Sequence, residues 1–243
     1  MNKLKSKHFE TFNDVYTDYI EQIFVISRCW KCCIEILQML VEDKVYKVYL
    51  AALRTLRALL NFSQEPALPQ LKLALRPVLH SVLLKCADGN RRVSEISRDT
   101  LVELARGRDG DLAVGKYTSP AAFNGLDYLL QLVLEERDLA SVTWQWIMGR
   151  LVILDRLLAA FPAEFSLEAP RGCQANFNRL MMVIDFSFQN LTSAHANVGK
   201  LAKQVFTVSA RNTAADTTTF NQVNSYHHLF YVSQNHLKKT FVF

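Results

Sequence analysis

Glycine and proline are scarce. The 243 residues hold only 8 Gly and 6 Pro, about half the usual combined share. That excludes collagen-like and low-complexity chains and disfavours a sheet protein punctuated by many tight turns. Long apolar runs are missing too, since no stretch approaches the roughly 18 residues a membrane helix needs. The N-terminal MNKLKSKHFETF carries three lysines, but no apolar signal segment follows them. The chain is therefore expected to be intracellular and cytoplasmic, with its five cysteines as reduced thiols. Charge of one sign is limited as well. Lys and Arg number 28 against 23 Asp and Glu, a formal net charge of +5, which suits a polyanion or an acidic protein surface equally well.

What is present is apolar and periodic. Half the residues are hydrophobic, enough for a sizeable core without disulfides or a structural metal. Val48, Ala52, Leu53, Leu56 and Leu60 share one stripe of a 3.6-residue period, while Lys47, Arg54 and Arg57 fall off it. Further helices are expected over 71–84 (kinked or restarted at Pro77), 93–105, 125–134, 141–161, 176–191 and 198–211. Nothing between residues 28 and 211 alternates as a strand would, so the fold class is expected to be all-α.

The helices also repeat. Asp43-Lys-Val-Tyr-Lys-Val48 and Asp88-Gly-Asn-Arg-Arg-Val93 share the frame Asp, four residues, Val, then an apolar helix, 45 residues apart. Weaker equivalents are Glu136 to Val142 and Ser193 to Val198. A period of roughly 40–47 residues with two helices per unit is the signature of a HEAT-type α-solenoid. Stacked units would bring the loops 42–47, 87–92, 135–140 and 192–197 onto one edge. The ends differ. Residues 1–27 form an extension with the apolar spacing of one amphipathic helix, 28–212 the repeat domain, and 213–243 a Thr- and Asn-rich tail of poor helix propensity. That tail reads equally as a loose cap, a disordered end or sequence from an alternative transcript.

Enzyme motifs fail on context. Gly110 to Lys116 matches the phosphate-loop frame up to its last position, but Tyr117 supplies no magnesium-binding hydroxyl and no strand precedes it. Cys29, Cys32 and Cys33 cluster without a second ligand pair, so core thiols are favoured over zinc. His80 reads as a packed imidazole, and Asp155-Arg156 as a structural ion pair. No kinase loop or triplet is present; Asp185-Phe186 is followed by Ser187. No catalytic residue, metal ligand or cofactor is expected. The loops carry basic heads instead: Lys44 and Lys47, then Asn90, Arg91 and Arg92, then Arg137, then Lys200 and Lys203. Such a row suits a flat acidic partner, although helix-connecting loops are polar in any case.

Residues 45–60, 83–107, 149–165 and 197–211 resemble the TOG domain of the MEK-kinase family, which lies between zinc-binding modules and a kinase domain. The resemblance spans about 28–212 and implies a HEAT solenoid that binds the αβ-tubulin heterodimer through its intra-repeat loops. By loop position it implies Val45 as the second-loop apolar contact, with Lys44 and Lys47 beside it. Asn90, Arg91 and Arg92 then occupy the next loop, and Lys200 and Lys203 the last. Trp30 resembles the family's first-loop aromatic, although only one helix separates it from Asp43. Arg137 falls in the third loop, among Glu135, Glu136 and Asp138. The kinase and zinc modules are not in this sequence, so no catalysis transfers. A general scaffold for other signalling proteins is the alternative. Nucleic acid is disfavoured because the net charge is low and no aromatics interleave the basic loops.

Overall fold

The computed structural model describes residues 31–62, 68–109, 125–135, 143–167 and 174–213. Among them stand eight α-helical segments and no strand. We number them α1 (residues 31–42), α2 (Tyr46–Asn61), α3 (Leu68–Lys85), α4 (Arg91–Ala105), α5 (Gly125–Val133), α6 (Trp144–Ala160), α7 (Gln174–Gln189) and α8 (Ala196–Asn212). Helix α3 runs through Pro77 without interruption. The stretch 1–30, the Gly110 to Lys116 motif and the tail from 214 lie outside the described residues.

The chain divides into two compact units. Of the described residues, those up to 82 with those of 103–129 make the first, and those of 83–102 with those from 130 on make the second. Within the first unit, Ile34, Leu37 and Val41 of α1 point inward at helical spacing. Helix α2 buries Tyr49, Ala52, Leu53, Leu56 and Leu60. Tyr49 thus takes the place expected for Val48, which is only half-buried, because the inward stripe lies one residue further round the helix. Ser81 of α3 accepts a hydrogen bond from Gln38 Nε2 at 3.1 Å and donates to Glu42 Oε1 at 3.2 Å. Tyr128 donates its hydroxyl to the Lys72 carbonyl at 2.8 Å, and burial pushes its phenol up to about 12.

The inward stripe of α1 also corrects the reading of the cysteines. Cys32 and Cys33 fall between Ile34 and the outer face and are exposed, whereas Cys86 is fully buried. Burial pushes the Cys86 thiol up to about 12, against the opposing charge of Arg98, so it is an inert core group.

In the second unit α8 packs against both α6 and α7. Ile184 and Phe206 are buried together, with Phe188 tilted against Phe206 at 6.1 Å between centroids. Asp155 accepts from Gln204 Nε2 of α8 at 2.9 Å, while Arg156 adds the smallest share to a lowering of Glu95 on α4 that is mostly due to Arg91. The two neighbours serve different helices rather than each other, since consecutive helical residues point about 100° apart. Asn176 Nδ2 donates to the carbonyls of Ala163 and Ser166, and Arg179 pairs with Glu164 at 2.6 Å. These bonds pin the 3-10 turn Pro162–Phe165 onto α7.

Candidate functional site

The repeated frame has a physical cause. Asp43 Oδ1 accepts the Val45 N–H at 2.6 Å, and Asp88 Oδ1 accepts the Asn90 N–H at 2.8 Å. Ser193 Oγ accepts the His195 N–H at 3.4 Å. Each is a side-chain turn closed two residues on, the preference that places Asp and Ser at such sites. The frame's last position is buried in Val93 and Val198, whereas Val48 is half-buried and Tyr49 beside it is buried. Val45, Asn90 and His195 therefore occupy one equivalent position, the residue just before α2, α4 and α8.

That position is the N-cap, and only one of the three residues suits it. Asn90 Oδ1 accepts the Arg92 N–H at 3.1 Å, as a cap should. Val45 and His195 make no side-chain cap bond. Val45 is also 56% exposed. A poor cap costs about 1 kcal/mol, so local stability does not account for valine there. The third hairpin differs in register. Thr143 caps α6 through the Trp146 N–H at 3.3 Å, and α6 starts at Trp144 rather than at Ser141.

Lys44, Val45 and Lys47 are all exposed in the first unit. Asn90, Arg91, Arg92, Lys200 and Lys203 are all exposed in the second. Arg91 donates Nε to Glu95 at 2.7 Å on its own helix and still keeps 88% of its side chain exposed. Glu95 raises the Arg91 guanidinium further, and Arg91 lowers the Glu95 carboxyl, so both stay charged. Trp30 and Arg137 lie outside the described residues. No three His, Cys, Asp or Glu side chains come together to hold a metal among the described residues.

Two features were not anticipated from sequence. The rings of Trp144 and His195 stack, which joins the rims of the third and fourth hairpins. Arg150, fully buried, donates Nη1 to the carbonyls of Val133 and Glu135 and lies 3.2 Å above the Trp146 ring centroid. It caps the C-terminus of α5, where carbonyls lack partners and the helix dipole favours a cation.

The sequence profile describing the TOG domain of mitogen-activated protein kinase kinase kinase 1 matches residues 20–198. The chain belongs to this TOG-domain family. It is 36% identical over 206 residues to mitogen-activated protein kinase kinase kinase 1 of Mus musculus, covering 79% of this chain and 14% of that protein. The Homo sapiens kinase is 38% identical over 194 residues, covering 74% and 13%. The chain thus matches about one-seventh of the length of these relatives, in the TOG domain and not the kinase domain. This TOG domain also shares its fold with the TOG domain of human Cep104, with a TM-score of 0.55 at 14% identity over 85% of this chain and 73% of that one. The fold is accordingly an all-α, HEAT-like solenoid, and the module is non-catalytic. No helix among the described residues is long and apolar enough to cross a membrane.

Proposed function

We propose that this TOG domain binds the αβ-tubulin heterodimer through the turns that precede α2, α4 and α8, and that it associates with the cytoskeleton in the cytoplasm by that contact. The observation that carries the reading is the equivalence of Val45, Asn90 and His195, with cationic side chains beside them: Lys44 and Lys47, Arg91 and Arg92, Lys200. A solvent-facing valine at a cap position is a local misfit, and misfits concentrate where function outweighs local preference. Tubulin's exposed surface is acidic, and Arg91 and Arg92 can grip carboxylates in the forked geometry that lysine lacks. The working domain on this reading is 28–212, with the extension before it and the divergent tail after it outside the contact.

The test is sedimentation or gel filtration of the full chain with αβ-tubulin. Arg91→Glu with Arg92→Glu should abolish co-migration and leave helical content and melting temperature nearly unchanged, since both side chains are exposed. Reversal of Lys44 and Lys47 should weaken binding less, because Val45 still supplies apolar contact. Unaltered binding by the arginine pair variant would replace this reading with the second one, a scaffold for other signalling proteins. Ile36 and Met39 favour that alternative: they lie 56% and 74% exposed on α1 rather than in a turn.

A further inference from the structure

Trp144 opens α6 and His195 stands at the N-cap position of α8. Their ring centroids stand 4.2 Å apart with planes inclined by only 7°. Nearly parallel rings at this separation form a tight stack. Trp144 nevertheless keeps 44% of its surface exposed. Local structure explains neither residue. The imidazole gives α8 no cap bond, and its Nδ1 is buried without a hydrogen-bond partner among the described residues, which costs free energy. The indole leaves open apolar surface to water.

An exposed cation follows His195 five residues on along α8. The bond from Gln204 to Asp155 turns one stripe of α8 toward α6. Lys200 lies one turn earlier on that stripe, exposed and nearer to the end of α8 that carries His195. An open aromatic face and a ring that backs it thus stand at the end of α8 from which the exposed Lys200 is five residues away.

We propose that Trp144, backed by His195 and flanked by Lys200, is the apolar anchor of the docking edge. It receives an apolar side chain seated next to a carboxylate on an acidic protein surface. This rests on the tubulin reading and adds the central contact that a row of solvated cations lacks. Basic rim residues steer and select a partner, while affinity concentrates in a few pre-ordered aromatic groups. The stack fixes the indole before the partner arrives, so little side-chain freedom is lost on binding. The charge of Lys200 fits the same acidic partner as Arg91 and Arg92.

The full chain, its Trp144→Ala, Trp144→Phe and His195→Ala variants, and Met182→Ala as an exposed control on α7, would be titrated with αβ-tubulin. Trp144→Ala should weaken binding at least about tenfold, as a central anchor does. Trp144→Phe should lose less, His195→Ala an intermediate amount, and Met182→Ala nothing. As a readout that does not depend on variant folding, the unsubstituted chain carrying 5-fluorotryptophan would be followed by fluorine NMR. The Trp144 resonance, assigned with Trp144→Phe, should shift on adding tubulin while that of Trp146 stays. Parent-like binding by Trp144→Ala, or an unmoved Trp144 resonance in a complex that does form, overturns the anchor. If the double arginine reversal still abolishes binding in that case, the tubulin reading stands without it. Absence of any binding by the unsubstituted chain overturns both.

Discussion

Arg150 shows how much of the rim depends on a residue that never reaches the surface. Its guanidinium is fully buried, supplies two carbonyls at the end of α5 and covers the Trp146 ring. Residues 134–135 are thereby fixed at one end of the third turn, and α6, which presents Trp144, at the other. Removing the guanidinium leaves two buried acceptors without that donor, at about 1–3 kcal/mol each, and forfeits a desolvated cation–ring contact. Arg150→Met should therefore destabilise the chain by about 2–4 kcal/mol, read as a lower urea midpoint. Arg150→Lys should recover only part of it, since an ammonium can donate to the carbonyls but has no planar face to lay on the indole. Nothing in the sequence singles out this arginine. GRLVILDRLL gives it the same standing as Arg156, which is exposed, and only the course of the chain from α5 into α6 separates their roles.

At the scale of elements, the periodicity located α2 to α8 to within about three residues at each end. The apolar stripes carry that signal, and of the stripe expected on α2, Ala52, Leu53, Leu56 and Leu60 are buried and Val48 is half-buried. The Asp–Val frame was legible because a turn closed by a short side chain is a local device, written into six consecutive residues. The third hairpin was not legible in the same way, because Thr143 caps α6 directly, one residue beyond the frame's end at Val142. The approach of α6 to the last turn of α3 is another feature the periodicity hides. A methyl group built on Gly149 would run into the Leu83 carbonyl oxygen, with the carbonyl carbon 3.1 Å away. Gly149→Ala gains about 1 kcal/mol of helix propensity, yet the obstacle is backbone, which cannot step aside as a side chain can. Overpacking of this kind costs about 1–3 kcal/mol, so the melting temperature should fall. A rise would mean that α6 and Leu83 stand further apart than described.

At the scale of the whole molecule, the difficulty is to read a partner from a charge that is barely in surplus. A formal +5 over 243 residues exerts little field at long range once salt shortens the screening length to about 8 Å. What matters is local placement. Lys44, Lys47, Arg91, Arg92, Lys200 and Lys203 all keep exposed heads; the repeat frame holds the first four, and Lys200 and Lys203 follow its last copy. The Trp144–His195 stack was not legible, because it joins residues 51 positions apart whose rings meet only when two hairpins pack. These two kinds of contact predict different salt behaviour. Exposed cations act mainly on encounter, and a desolvated aromatic anchor acts on escape. Raising salt from 50 to 300 mM should therefore slow association of the full chain with αβ-tubulin several-fold and leave dissociation nearly constant. Lys44→Glu with Lys47→Glu should flatten the salt dependence of association, whereas Trp144→Ala should keep its slope and speed dissociation. Stopped-flow or biosensor traces separate the two rates directly. Equal salt sensitivity in both rates for the parent chain would mean that the cations are buried in the complex, and the division between steering rim and apolar anchor would then be wrong.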